Sequence, residues 1–272
     1  MNNKLVWAIA LKDMRSIRRT SKVWIGLVVL PLILGVIIPA AVVSLGRWGD
    51  ISALGGDQMT ILLERLPAAD ATDLPDIQHR FVHYMINFMF VPLFILIPVT
   101  NAVMIAVNSF VGEKERRTLE SLLFAPVEIR ELFAGKLLAS FIPAYASALA
   151  SFLLSGVIIN VLAYPMFGGL IFPSMRWLII MLWVIPMFTV SAILFSVLVS
   201  ARSSSFQEAQ QVAGIIVLPI VGLLIGQSTG AVMLNPLLLL LIGSVLLLLN
   251  GLLLMWVARL NERDLLFERQ VH

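Results

Sequence analysis

Six apolar runs, at residues 23–45, 81–110, 137–164, 177–201, 209–229 and 235–258, leave this chain few ways to fold. Each can cross a hydrocarbon layer of about 30 Å as a helix, which takes roughly 20 residues. Inside such a layer the backbone must satisfy its own N–H and C=O groups, so only helices and closed barrels span it. The runs lack the period-2 alternation of a barrel strand. The expected fold is therefore all-α, a polytopic membrane protein with six transmembrane helices in one domain over residues 1–272. Pro31, Pro39, Pro92, Pro98, Pro143, Pro186 and Pro219 fall inside the runs. Kinks are expected there, with the freed carbonyls satisfied by neighbouring helices.

Composition closes other routes. Hydrophobic residues make up 60% of the chain and charged residues 13%, whereas a soluble domain carries about 25% charged residues. That argues against a water-soluble enzyme, a disordered chain and a nucleic-acid-binding domain, so no nucleic-acid partner is expected. The absence of cysteine removes disulfides and thiolate metal sites. The first apolar run is expected to be a retained span, since it is longer than the roughly 7–15 apolar residues of a cleaved signal and follows a long charged segment.

The charges assign an orientation. With the N-terminus inside, Lys4, Lys12, Arg15, Arg18, Arg19, Lys22, Lys114, Arg116, Arg117, Arg130, Lys136, Arg202, Arg259, Arg263 and Arg269 fall on one side, fifteen of the nineteen basic residues. Only Arg47, Arg65, Arg80 and Arg176 fall on the other. Basic residues accumulate on cytoplasmic flanks, so both termini are expected in the cytoplasm. The connection 46–80 is then extracytoplasmic and carries Asp50, Asp57, Glu64, Asp70, Asp73 and Asp76, and a small ordered cap is expected there. Residues 1–22 read as an amphipathic helix. Val6, Trp7, Ala10, Leu11, Met14 and Ile17 share a face at about 100° per residue, beside a basic face of Lys4, Lys12, Arg15, Arg19 and Lys22. Such a helix suits the membrane interface.

Polar residues within the spans are few. Asn87, Asn101, Asn108, Thr189, Gln227 and Asn250 stand out, and no acid or base lies deep in any run. An intramembrane charge usually marks an ion or proton route, so an ion-coupled carrier is disfavoured. A pathway lined by apolar and amide side chains would suit an amphipathic, lipid-like, drug-like or peptide cargo. Small residues recur every four positions at Gly222, Gly226 and Gly230, and at Ser147, Ser151 and Ser155. These stripes permit close helix approach, either inside one bundle or at a dimer seam. Catalysis has little to work with. The histidines are His79, His83 and His272, and no H-E-x-x-H occurs. No metal site and no catalytic residue is assigned.

The most informative stretch is the intracellular segment 112–136, GEKERRTLESLLFAPVEIRELFAGK. Glu113 pairs with Arg117 at i,i+4 and with Arg116 at i,i+3, favourable on a helix. Leu119, Leu122 and Leu123 add an apolar stripe, and Pro126 ends the helix. A short second helix begins near Val127. A charged helix fixed to the end of a long span can dock on a soluble partner and pass force to the bundle; it can equally be a solvated loop.

The segment GEKERRTLESLLFAPV resembles the permease signature of ABC exporters of the second membrane class, the ABC-2 type, with Glu115, Thr118, Leu119, Glu120 and Pro126 in register. The six-span plan, the N-terminal helix and the polar turn ARSSSFQEAQQ are also similar to that family. The resemblance implies a transmembrane subunit driven by a cytosolic ATP-binding-cassette ATPase in two copies. It further implies a second permease copy, identical or related, and a prokaryotic cytoplasmic (inner) membrane. Glu113, Lys114, Glu115, Arg116, Thr118, Leu119, Glu120 and Leu123 would form the coupling helix. Gln207 and Glu208 would lie near a second, smaller cytoplasmic contact. Asn87, Asn101, Asn108, Gly222, Gly226 and Gln227 are the candidate packing and pathway residues. One family pattern has glycine where this chain has Arg117, which bears only on the local surface. No G-x-x-x-x-G-K-[ST] occurs, so ATP and Mg are expected on the partner subunit and no cofactor on this chain. The alternative reading is the membrane part of a mechanically coupled complex that moves no cargo.

Overall fold

The computed structural model describes residues 3–19, 21–49, 76–115 and 129–260, together with Ile51, Leu63 and Leu74. Among the described residues every regular element is helical. An N-terminal helix α1 (Asn3–Arg19) precedes six helices long and apolar enough to cross a membrane: Val23–Trp48, Ile77–Gly112, Arg130–Phe167, Met175–Arg202, Phe206–Ser228 and Pro236–Val257. We refer to these as the first to sixth spans.

The second span is the axis of the bundle. Val91, Phe94, Ile97, Val99, Ala102, Ile105, Ala106 and Val107 are all essentially inaccessible, and they point in every direction around the helix. The fourth span lies against it and buries Trp177, Ile180, Ile185, Ala192, Ile193 and Leu194. The first, third, fifth and sixth spans surround this pair and keep large apolar faces exposed. At one end of the bundle Phe90, Phe94, Phe152, Phe172 and Trp177 form a continuous aromatic cluster, with ring centroids 5.0–6.1 Å apart. Tilted and edge-on pairs at these separations are the favoured geometries.

The prolines act where the local physics requires. Three spans contain one π-helical turn each, at Ile33–Ile37, Met85–Met89 and Ile180–Val184. Each turn is followed within three residues by a proline, Pro39, Pro92 and Pro186. Proline has no N–H to return to the preceding turn. The third span supplies substitute donors. Ser155 Oγ donates to the Gly35 carbonyl at 2.5 Å, four residues before Pro39. Tyr145 Oη donates to the Met181 carbonyl at 2.9 Å, five residues before Pro186. Neighbouring hydroxyls thus replace the missing amides, as backbone groups in an apolar layer require.

The serine stripe of the third span packs inside the bundle. A Cβ on Gly35 would lie 2.8 Å from Ser151 Cβ, so only glycine lets the first and third spans come this close. Gly222, by contrast, is exposed, with open space where a Cβ would project.

Candidate functional site

The second span runs on as helix through Glu115, and the third begins at Ile129. The side chains of Glu113, Lys114 and Glu115, and all of Arg116, Thr118, Leu119, Glu120 and Leu123, lie outside the described residues. So do most of the connection 46–80 and the side chains of Arg18 and Lys22. What is described is the pair of helix ends between which residues 116–128 run.

Those ends converge on a buried ionic cluster that sequence reasoning missed. Asp13 of α1, Ser109 of the second span and Lys136 of the third meet there, exposed by 7%, 9% and 3%. Lys136 Nζ donates to the Ser109 carbonyl at 2.7 Å and to Ser109 Oγ at 3.1 Å, and lies 3.6 Å from Asp13 Oδ2. Ser109 Oγ donates to the same carboxylate oxygen at 2.8 Å. The Lys136 ammonium also sits 5.1 Å from the Phe110 ring centroid, within cation–π range. Buried charges persist when paired and hydrogen-bonded, and removing one partner costs about 3–5 kcal/mol.

Local packing explains why the cluster forms. The third-span helix continues past the apolar run at 137–164 down to Ile129, and α1 covers that extension. A Cβ on Gly135 would fall 2.8 Å from Ile9 Cβ and 3.0 Å from the Val6 carbonyl, so α1 rests on bare backbone there. The face of α1 turned inward is Val6, Ala10, Asp13 and Ile17, while Trp7 is 50% exposed and Leu11 is also exposed. The expected apolar sector is therefore divided between protein contact and an outward face, and the protein half contains a carboxylate. Ile17 continues the contact onto Ile105 of the second span, with Val23 of the first. Lys136, read from sequence as a loop charge, is buried because α1 seals it. The available signal was Asp13, the lone acid among six bases in residues 1–22 and in phase with Val6, Ala10 and Ile17.

At the turn between the fourth and fifth spans, Ser205 caps the helix by accepting from Glu208 N–H at 3.3 Å. The Glu208 carboxylate returns to accept from Ser204 N–H and Ser204 Oγ, both at 2.8 Å. This reciprocal pairing resembles a capping box, displaced by one residue. Gln207 and Glu208 are both exposed beside it.

The amides within the spans link helices. Asn101 Nδ2 donates to Ser147 Oγ at 2.9 Å, joining the second and third spans. Asn87 accepts from Ser174 Oγ at 2.8 Å and donates to the His83 carbonyl at 3.2 Å. Asn250 accepts from Ser191 Oγ at 2.7 Å. Asn160 holds the hairpin after the third span, accepting from Ile171 and Phe172 N–H and donating to the Phe172 carbonyl. Tyr84 Oη donates to the Gln227 carbonyl at 2.7 Å, tying the second span to the end of the fifth. The Gln227 side chain is buried with neither amide atom bonded. Asn108 is half-buried one turn before Gly112, and a Cβ on Gly226 would sit 3.1 Å from Val232 Cγ2. His79 Nε2 lies 3.0 Å from the Met166 carbonyl, its Nδ1 3.8 Å from Asp76 and its ring edge-on to Phe167. No cluster of three metal-ligating side chains occurs among the described residues.

A family model described as ABC-2 family transporter protein matches residues 7–255. No curated protein and no solved structure matches the chain significantly.

Proposed function

The chain belongs to the ABC-2 family of transporter proteins, a multi-pass membrane permease component rather than a catalytic subunit, and from that premise we propose that it is the permease half of an ATP-driven exporter. Two copies, or one copy with a related permease, form the cargo pathway, and two copies of a separate cytosolic cassette ATPase drive it. ATP and Mg belong to that ATPase. The chain sits in a prokaryotic cytoplasmic membrane with both termini inside, as the distribution of basic residues supports. The coupling helix is Glu113, Lys114, Glu115, Arg116, Thr118, Leu119, Glu120 and Leu123. Gln207 and Glu208, on their capped and exposed turn, contribute a second contact. Asn87, Asn101, Asn108, Gly222, Gly226 and Gln227 serve packing and pathway. The observation that carries the reading is the family match across nearly the whole chain.

The test combines co-purification with transport. The protein should isolate with a cassette ATPase and move cargo into vesicles only with ATP. Glu115→Arg combined with Glu120→Arg should insert normally yet lose the ATPase and cargo-stimulated hydrolysis. Unchanged complex formation by that variant removes the segment as the docking site. Stimulated hydrolysis with no movement across a broad cargo panel overturns the exporter reading.

A further inference from the structure

We propose that Asp13, Ser109 and Lys136 form a rigid joint that clamps together both ends of the connection between the second and third spans, so that displacement of that connection moves α1 and the first three spans as one body. The inference rests on the proposed function, in which a separate ATPase pushes on residues 116–128.

The geometry supplies the clamp. Ser109 lies on the helix entering the connection and Lys136 on the helix leaving it. The ammonium grips both the backbone and the hydroxyl of Ser109, at 2.7 and 3.1 Å. Asp13 closes the triangle from α1, at 2.8 Å from the hydroxyl oxygen and 3.6 Å from the ammonium nitrogen. Two contacts, one on either side of the joint, hold α1 across it. Toward its N-terminus it lies on Gly135 of the third span, and toward its C-terminus Ile17 packs on Ile105 of the second. Only Thr20 separates α1 from the helix that begins at Ser21 and continues into the first span. A push on the connection that reaches Ser109 and Lys136 therefore moves the two helices together rather than apart.

Stability is a poor explanation for an ion pair at this place. Well-packed apolar residues of similar volume are often as stable as a buried pair or more so. What the ionic cluster adds is geometry, since an ammonium, a hydroxyl and a carboxylate joined by three hydrogen bonds in a low-dielectric pocket fix three helices at one point. Asp13, Ser109 and Lys136 are thus positioning residues, acting through the helices that carry them.

The experiment uses the absence of native cysteine in this chain, so the introduced cysteines are its only label sites, and the permease is labelled before it is combined with the ATPase. Spin labels go on Arg15→Cys with Gly112→Cys, and on Arg15→Cys with Arg130→Cys, reporting α1 against the ends of the second and third spans. The labelled protein is combined with the ATPase that wild type brings down from its native membrane, and distances are compared without nucleotide and with ATP plus vanadate. The background is wild type, or the paired variant Asp13→Leu with Lys136→Met, which removes the charges together and avoids stranding one. In wild type both distances should stay the same in the two nucleotide states. In the paired variant at least one should shift with nucleotide, while thermal stability and bound ATPase are retained. A merely structural cluster would change stability without creating a nucleotide-dependent shift. Lys136→Arg, which retains the charge and donors, should restore constant distances relative to the paired variant. Distances that change with nucleotide in wild type, or that stay constant in a folded paired variant, overturn the joint. A wild-type protein that brings down no ATPase overturns the proposed function and this inference with it, so the two failures are told apart at the purification step.

Discussion

The second and sixth spans look alike on a hydropathy scale and live in opposite surroundings. The second is enclosed by protein on all sides, with Phe94, Ile97, Ala102 and Ala106 inaccessible. The sixth presents Leu237, Val245, Leu248, Leu252 and Met255 outward, Leu248 by 71%. In a soluble protein the outward face would be polar. Here lipid tails are as apolar as leucine, so the hydrophobic effect places both helices in the layer and does not arrange them. Arrangement comes from packing detail. The second span carries small residues and paired amides, such as Ala102, Ala106 and Asn101, while the outward face of the sixth is largely leucine.

The largest break in this comparison should come from the core. Phe94 packs against Phe90 and Trp177 at 5.5 and 5.3 Å between centroids. Phe94→Ala should cost about 3–5 kcal/mol, read as a lower unfolding midpoint in detergent. An unchanged midpoint would mean the second span is not the axis of packing. A smaller effect is expected from Ser155→Ala, which removes the hydroxyl serving the carbonyl before Pro39. Interhelical hydrogen bonds in membranes average about 0.6 kcal/mol, and the loss should appear as a modest midpoint shift confined to that substitution. The smallest effect belongs to Leu248→Ala, expected within about 0.5 kcal/mol as for a surface site. A loss as large as that of Phe94→Ala, measured alongside oligomeric state, would show that protein rather than lipid covers the sixth span.

Several features were open to reading in the residues. The six crossings needed only the length of each apolar run. The tolerance of intraspan prolines followed from the need to satisfy freed carbonyls, although which hydroxyls would do so did not. Ser155 and Tyr145 are 116 and 41 residues from the prolines they compensate, and no local pattern connects such pairs. The serine stripe carried the expectation of close approach, but the choice between a contact inside the bundle and a dimer seam needed Gly35 opposite it. Gly222 shows the same spacing on an open face. Of the expected coupling residues, those at 116–123 fall outside the described residues. Gln207 and Glu208 could be placed, and the pairing of Glu208 with Ser204 and Ser205 came from the structure.

The N-terminal helix illustrates the division most directly. Its periodicity gave an amphipathic helix with a basic flank, and one acid among six bases was visible in the letters. That this acid turns inward depends on Gly135 admitting α1 to the third span, and on Ser109 and Lys136 arriving at the same point from 96 and 123 residues downstream. Sequence by itself determined how many runs are long and apolar enough to cross a membrane and how the basic residues divide between the connections, because both are sums over local composition. Only the tertiary structure decided which apolar face meets protein, which carbonyl meets which hydroxyl and where a charge pair is sealed, because each depends on groups far apart in the chain reaching contact distance.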